Sequence, residues 1–149
     1  MLEWKPDYET GVPVIDTQHK VLFDNINRLG KLLDKKEIEQ VEADYLLGFL
    51  RQYVVQHFRH EETCMARFRC PTHAKNKEQH DQLTDALAHF SQEYEIHGPL
   101  RDMLQRLHTT MVWWISSHIL KVDVQLKACV QPSRANPASA SDAGVPPIT

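Results

Sequence analysis

Four histidines, His19, His57, His80 and His118, each fall on the apolar stripe of a different stretch with helical period. A lone inward histidine is usually a core residue with its hydrogen bonds met. Four from four separate stretches put several polar rings into one core without evident partners, which costs free energy unless something binds them. Neutral imidazole is a standard ligand for first-row metals, so a metal is the economical occupant. Two carboxylates stand in register with them: Glu61 follows His57 by four residues and Asp123 follows His118 by five. Buried together without cations, the two carboxylates would repel and resist ionisation. Two divalent ions bridged by both remove that objection. Imidazole with carboxylate and no cysteine suits iron, and six ligands exceed the four that one tetrahedral zinc takes.

The elements that must carry these residues are all helical. Apolar residues recur at alternating steps of three and four in four segments, which makes the chain all-α. The first segment is opened by Asp16 or Thr17 and aligns His19, Phe23, Ile26, Leu29 and Leu33 before the charged run Asp34–Glu37. The second runs from about Glu39 to Phe68 with Leu46, Leu50, Tyr53, His57 and Glu61 in line. Pro71 starts a third, where Asn76, His80, Leu83, Leu87, Phe90 and Tyr94 share a face until His97-Gly98-Pro99 breaks it. Leu104, Leu107, Met111, Trp114 and His118 form the stripe of the fourth. Connections this short predict an antiparallel up-down-up-down four-helix bundle, preceded by an extended N-terminal segment.

With 149 residues the chain supports one cored domain, expected over residues 1–131. From Pro132 the composition turns to Pro, Ser and Ala, and residues 132–149 read as a disordered tail or an interdomain linker. The net charge is −3 with both signs mixed along the chain, which points away from nucleic acid and anionic membranes. No apolar run is long enough to span a bilayer and no signal-peptide pattern opens the chain, so a soluble cytoplasmic protein is expected. The three cysteines, Cys64, Cys70 and Cys129, lack C-x-x-C spacing and read as reduced, packed thiols. There is no internal repeat and no Gly-rich phosphate loop. The string around His57 contains neither H-E-x-x-H nor H-x-x-E-H, and no Glu stands three residues before a His as ferritin-like di-iron sites require. His60, His73, His89, His97 and His108 lie off the stripes and are expected to face solvent.

The string Gly11-Val12-Pro13-Val14-Ile15-Asp16-Thr17-Gln18-His19-Lys20 resembles the opening of bacterial hemerythrins. So do His57-Phe58-x-x-Glu61-Glu62-x-x-Met65 and Trp114-Ile115-x-x-His118-Ile119-x-x-x-Asp123, and the similarity runs from about Trp4 to Ala128. The resemblance implies two non-heme iron ions joined by a bridging oxo or hydroxo group. His19 and His57 would then bind the iron where dioxygen lands, His80 and His118 the other, with Glu61 and Asp123 bridging. Members of that family carry one further histidine four residues before the position of His80. Here that position is Asn76, a much weaker ligand, which would leave the second iron open, water-filled or weakly ligated. His73 would substitute only if the start of the third helix were deformed.

Such a site binds dioxygen or small anions. An open second iron gives less protection against loss of the bound oxidant, which favours an oxygen or redox sensor module over a simple dioxygen carrier or store. Such a module would regulate an attached or partner signalling domain, for instance a C-terminal diguanylate cyclase. A peroxide- or nitric-oxide-handling di-iron enzyme comes last, since no additional acid or base is committed to turnover.

Overall fold

The computed structural model describes residues 1–131. The expected tail, residues 132–149, lies outside the described residues. Four long helices make the bundle: α1 Pro13–Asp34, α2 Gln40–Arg67, α3 His73–His97 and α4 Arg101–Lys121. Packing runs α1 on α2, α2 on α3, α3 on α4 and α4 back on α1, the square arrangement that short antiparallel connections impose.

The helix ends explain the boundaries. α1 begins at Pro13 and not at the expected Asp16 or Thr17, because proline suits the first helical position, where no amide proton is needed. Asp16 sits inside the first turn instead, accepting from the Thr10 amide at 2.9 Å and the Thr10 hydroxyl at 2.8 Å. α3 stops at Gly98, whose φ of 73° lets its amide return to the Tyr94 carbonyl. Arg101 at the start of α4 donates to the carbonyls of Leu33, Lys35 and Lys36 and so ties down the end of α1. Gly30 lets α1 and α4 approach closely, since a Cβ there would lie 2.8 Å from the His108 ring.

The N-terminal segment contains a short 3-10 turn, Pro6–Tyr8, within its otherwise extended course. It lies on the bundle through Trp4 and Tyr8, which pack edge-on to Phe23. Beyond α4 the sequence reading anticipated no further element. A 3-10 turn over Asp123–Gln125 leads there into a short helix, α5 Leu126–Val130.

Two apolar clusters fill the interior. The larger contains Leu22, Ile26, Leu29, Leu46, Leu50 and Leu104, and a smaller one at the other end contains Val12, Ile15, Met65, Val122 and Leu126. Each such side chain, fully buried, contributes roughly 1.5–3 kcal/mol. On α1 and α2 the predicted site residues fall between members of the two clusters, so there they form a polar layer with hydrocarbon on both sides.

The cysteines depart from expectation. Cys64 is free and buried, as read from the sequence, but Cys70 and Cys129 form a disulfide that joins the α2–α3 corner to α5. The two are 59 positions apart and meet only because α5 folds back onto that corner.

Candidate metal centre

His19 lies in the second turn of α1. His57 and Glu61 are one turn apart on α2, as are Asn76 and His80 on α3. His118 is in the last turn of α4, and Asp123 follows in the 3-10 turn, outside the helix on which the sequence spacing placed it. All seven side chains are almost fully buried, and the six expected ligands form two clusters, His19, His57, Glu61, Asp123 and Glu61, His80, His118, Asp123. Both carboxylates belong to both. His73, at the start of α3, is in neither cluster.

The distances show how the carboxylates are shared. Glu61 Oε2 lies 3.2 Å from His19 Nε2 and 3.3 Å from His57 Nε2. Its other oxygen, Oε1, lies 3.1 Å from His80 Nε2. Asp123 divides in the same way, with Oδ2 3.2 Å from His19 Nε2 and Oδ1 2.9 Å from His118 Nε2. Each carboxylate thus turns one oxygen to each pair of histidines. Glu61 Oε1 and Asp123 Oδ1 are fully buried and make no hydrogen bond despite these short separations. His80 Nε2 and His118 Nε2 are themselves only 3.2 Å apart. Lone pairs converging at such distances, with oxygens left unsatisfied in a dry core, fit a pair of cations between them.

Outward from the centre, the other ring nitrogens are held in a regular pattern. His57 Nδ1 donates to Gln18 Oε1 at 2.7 Å, His80 Nδ1 to Glu62 Oε2 at 3.0 Å, and His118 Nδ1 to Gln79 Oε1 at 2.6 Å. Each partner adjoins in sequence a site residue of its own helix and serves the histidine of the next helix: α1 to α2, α2 to α3, α3 to α4. The ring stays open at His19, whose Nδ1 has no partner among the described residues. Such outer hydrogen bonds fix the tautomer, leaving each Nε2 lone pair directed inward. Aromatic rings cover the second pair: Phe58 stacks on His80 at 3.7 Å and Trp114 on His118 at 4.3 Å.

The electrostatics of the metal-free centre follow from the same geometry. Burial alone would lower the pKa of His19, but hydrogen bonds and charges from Asp123 and Glu61 outweigh it and raise it to about 9. Burial likewise opposes the charge on His80, yet Glu61, Glu62 and Asp123 lift its pKa to about 9. Burial would raise Glu61, and the imidazoles of His57, His19 and His80 instead hold it well below the ordinary carboxylate range. His57 is depressed, with burial the leading cause. Without metal, protons on His19 and His80 stand in for the cations, one in each half.

Sequence reasoning missed the supporting residues Gln18, Glu62 and Gln79, and it misplaced His60. His60 is buried, not solvent-facing, and its Nδ1 accepts from Gln18 Nε2 at 2.8 Å. Burial holds its pKa below the ordinary histidine value. Three steps of 100° leave it only 60° from His57 around the helix, on a flank that α1 covers. The available signal was adjacency, because Gln18, Glu62 and Gln79 each stand next to a predicted site residue.

Comparison with known proteins agrees with this geometry. The sequence matches the hemerythrin HHE cation binding domain over residues 10–130. It is 30% identical to the bacteriohemerythrin of Methylococcus capsulatus over 124 residues, covering 83% of this chain and 92% of that protein. It is 29% identical to the bacteriohemerythrin of Clostridium acetobutylicum over 126 residues, covering 83% and 96%. A crystal structure of wild-type hemerythrin superposes with a TM-score of 0.75 at 27% identity, over 89% of this chain and 99% of that one. With its four-helix bundle and the two donor clusters that share Glu61 and Asp123, the chain belongs to the hemerythrin family of non-heme di-iron, dioxygen-binding proteins.

Proposed function

We propose that this chain is an oxygen- or redox-responsive di-iron domain, a sensor module for an attached or partner signalling domain such as a diguanylate cyclase. In this reading His19 and His57 hold the first iron, His80 and His118 the second, and Glu61 and Asp123 bridge them. When bound, the iron pair supplies the electrons with which dioxygen is held reversibly.

The observation that carries the proposal is Asn76. It is fully buried, its Oδ1 lies 2.8 Å from His118 Nε2, and its Nδ2 has no partner among the described residues. The side chain therefore faces the second half of the centre, where it offers an amide oxygen in place of an imidazole nitrogen. An amide oxygen holds iron weakly and leaves that half exchangeable. A carrier gains from a saturated neighbour, whereas a sensor gains from a centre whose ligation changes readily. Asp123 offers a way out: it touches both halves and begins the 3-10 turn that leads into α5 and on to the C-terminal segment. A change in its grip is felt where the chain leaves the bundle.

The test is Asn76→His. The imidazole fills the weak position, and decay of the dioxygen adduct in stopped flow at one pH slows by about tenfold. Equal or faster decay removes the chemical ground for a sensor and leaves a simple dioxygen carrier.

A further inference from the structure

Gln18 stands apart from Glu62 and Gln79 because its amide engages a second histidine. Gln18 Oε1 accepts from His57 Nδ1 at 2.7 Å, while Gln18 Nε2 donates to His60 Nδ1 at 2.8 Å. All three side chains are buried, with 4% exposure at Gln18, 1% at His57 and 8% at His60. We infer that Gln18 and His60 are positioning residues for the first iron, a two-residue relay that selects which nitrogen of His57 faces the metal. The inference rests on the ligand assignment proposed above and extends it to residues that touch no metal.

The argument is one of hydrogen-bond polarity. A primary amide has one accepting end and one donating end. A His57 Nε2 lone pair directed at the metal puts the His57 proton on Nδ1, so the Gln18 oxygen faces His57 and its amide nitrogen donates to His60 Nδ1. The oxygen only accepts, so in this orientation it holds the His57 proton on Nδ1 and keeps the Nε2 lone pair inward. Released from the relay, His57 has a competing arrangement within reach, because Glu61 Oε2 lies 3.3 Å from its Nε2. A proton on Nε2 would then bond to that carboxylate and block both as ligands. His60 acts through Gln18: it anchors the nitrogen end and opposes the amide flip that would present a donor to His57.

The experiment uses the iron-loaded full chain and follows iron release to a ferrous chelator in the absence of oxygen, alongside thermal melting of the metal-free protein. Wild type releases two equivalents slowly. Gln18→Met keeps the volume and removes both hydrogen bonds, so one equivalent leaves about ten- to a hundredfold faster while the other keeps its rate. His60→Leu accelerates the same equivalent to a lesser degree, and His60→Asn, which restores an accepting oxygen, returns it toward wild type. Gln18→Glu still accepts from His57 Nδ1 and holds that iron at least as long as wild type, which keeps the test decisive if the Met variant folds poorly.

Unchanged release from Gln18→Met overturns the inference. So does equal acceleration of both equivalents with a lower melting temperature of the metal-free protein, the mark of a merely structural role, or release from Gln18→Glu as fast as from Gln18→Met. Release of a single equivalent by wild type itself would instead overturn the paired-iron assignment, and the inference with it.

Discussion

The half of the centre between α1 and α2 and the half between α3 and α4 share both carboxylates and contain two imidazoles each, yet they are supported differently. In the first, His57 rests on the neutral amide of Gln18 and His19 has no outer partner among the described residues. In the second, His80 rests on the carboxylate of Glu62, His118 on the amide of Gln79, and both rings lie under aromatic cover. A carboxylate behind an imidazole raises its basicity and strengthens it as a ligand. The half that has asparagine at its third position thus carries the stronger outer support. The two halves are thus equal in imidazoles and shared carboxylates and differ in what stands behind the rings and in the asparagine that faces the second.

The strongest way to break the comparison is to remove what the halves share. Glu61→Ala takes one oxygen from each, so iron content measured on purified protein falls from about two per chain to near zero, since each cation loses a charge-balancing ligand in a dry core. Loss of only one iron would show that Glu61 serves a single half.

A second test asks whether each half holds its own proton when empty. The pKa values of His19 and His80 stand near 9 in the folded metal-free protein, above the ordinary histidine value. Their contribution to stability is therefore complete below about pH 6.5 and is lost as pH rises through about 9. Glu61 is depressed, so its contribution is present above the ordinary carboxylate range and is lost as pH falls through its lowered value. The metal-free protein melts at lower temperature as pH goes from 6.5 to 9, whereas the iron-loaded protein, with both histidines deprotonated by the metal, does not follow that decline. Iron uptake at pH 7 displaces about two protons from His19 and His80, in addition to any lost by a water that becomes the bridge, so calorimetry in buffers of different ionisation enthalpy gives at least two protons per chain. Release of one proton or none would mean that the two histidines do not both hold a charge when the centre is empty.

The smallest expected effect sharpens the difference in outer support. Glu62→Gln leaves a hydrogen-bond acceptor behind His80 but removes the charge, and weakens retention of the second iron by about tenfold in chelator competition, without altering the first. No change would mean that the carboxylate, 22% exposed, is screened by solvent and acts as an amide would.

Much of this molecule follows from residue order alone. The three-and-four spacing of apolar residues establishes four helices, because burial of one stripe per helix is the same requirement in any bundle. The same periodicity brings His19, His57, Glu61, His80 and His118 inward and puts Asn76 on the same face as His80, since a residue's angle around its own helix needs no knowledge of the neighbours; that Asn76 stands where a histidine is expected came from the resemblance to hemerythrins. Asp123 was legible only in part: the spacing carried it inward, but the chain leaves α4 first and presents it from a 3-10 turn.

What the tertiary structure decided lies across helix interfaces. Gln18 adjoins His19 yet serves His57, Glu62 adjoins Glu61 yet serves His80, and Gln79 adjoins His80 yet serves His118. His60 is buried because α1 covers its flank of α2, and Cys70 meets Cys129 because α5 folds back on the α2–α3 corner. Periodicity measures each residue against its own axis, whereas these partnerships depend on the rotation and vertical register of one helix against another. That register is set by the packing of the whole core, so no local stretch of sequence contains it.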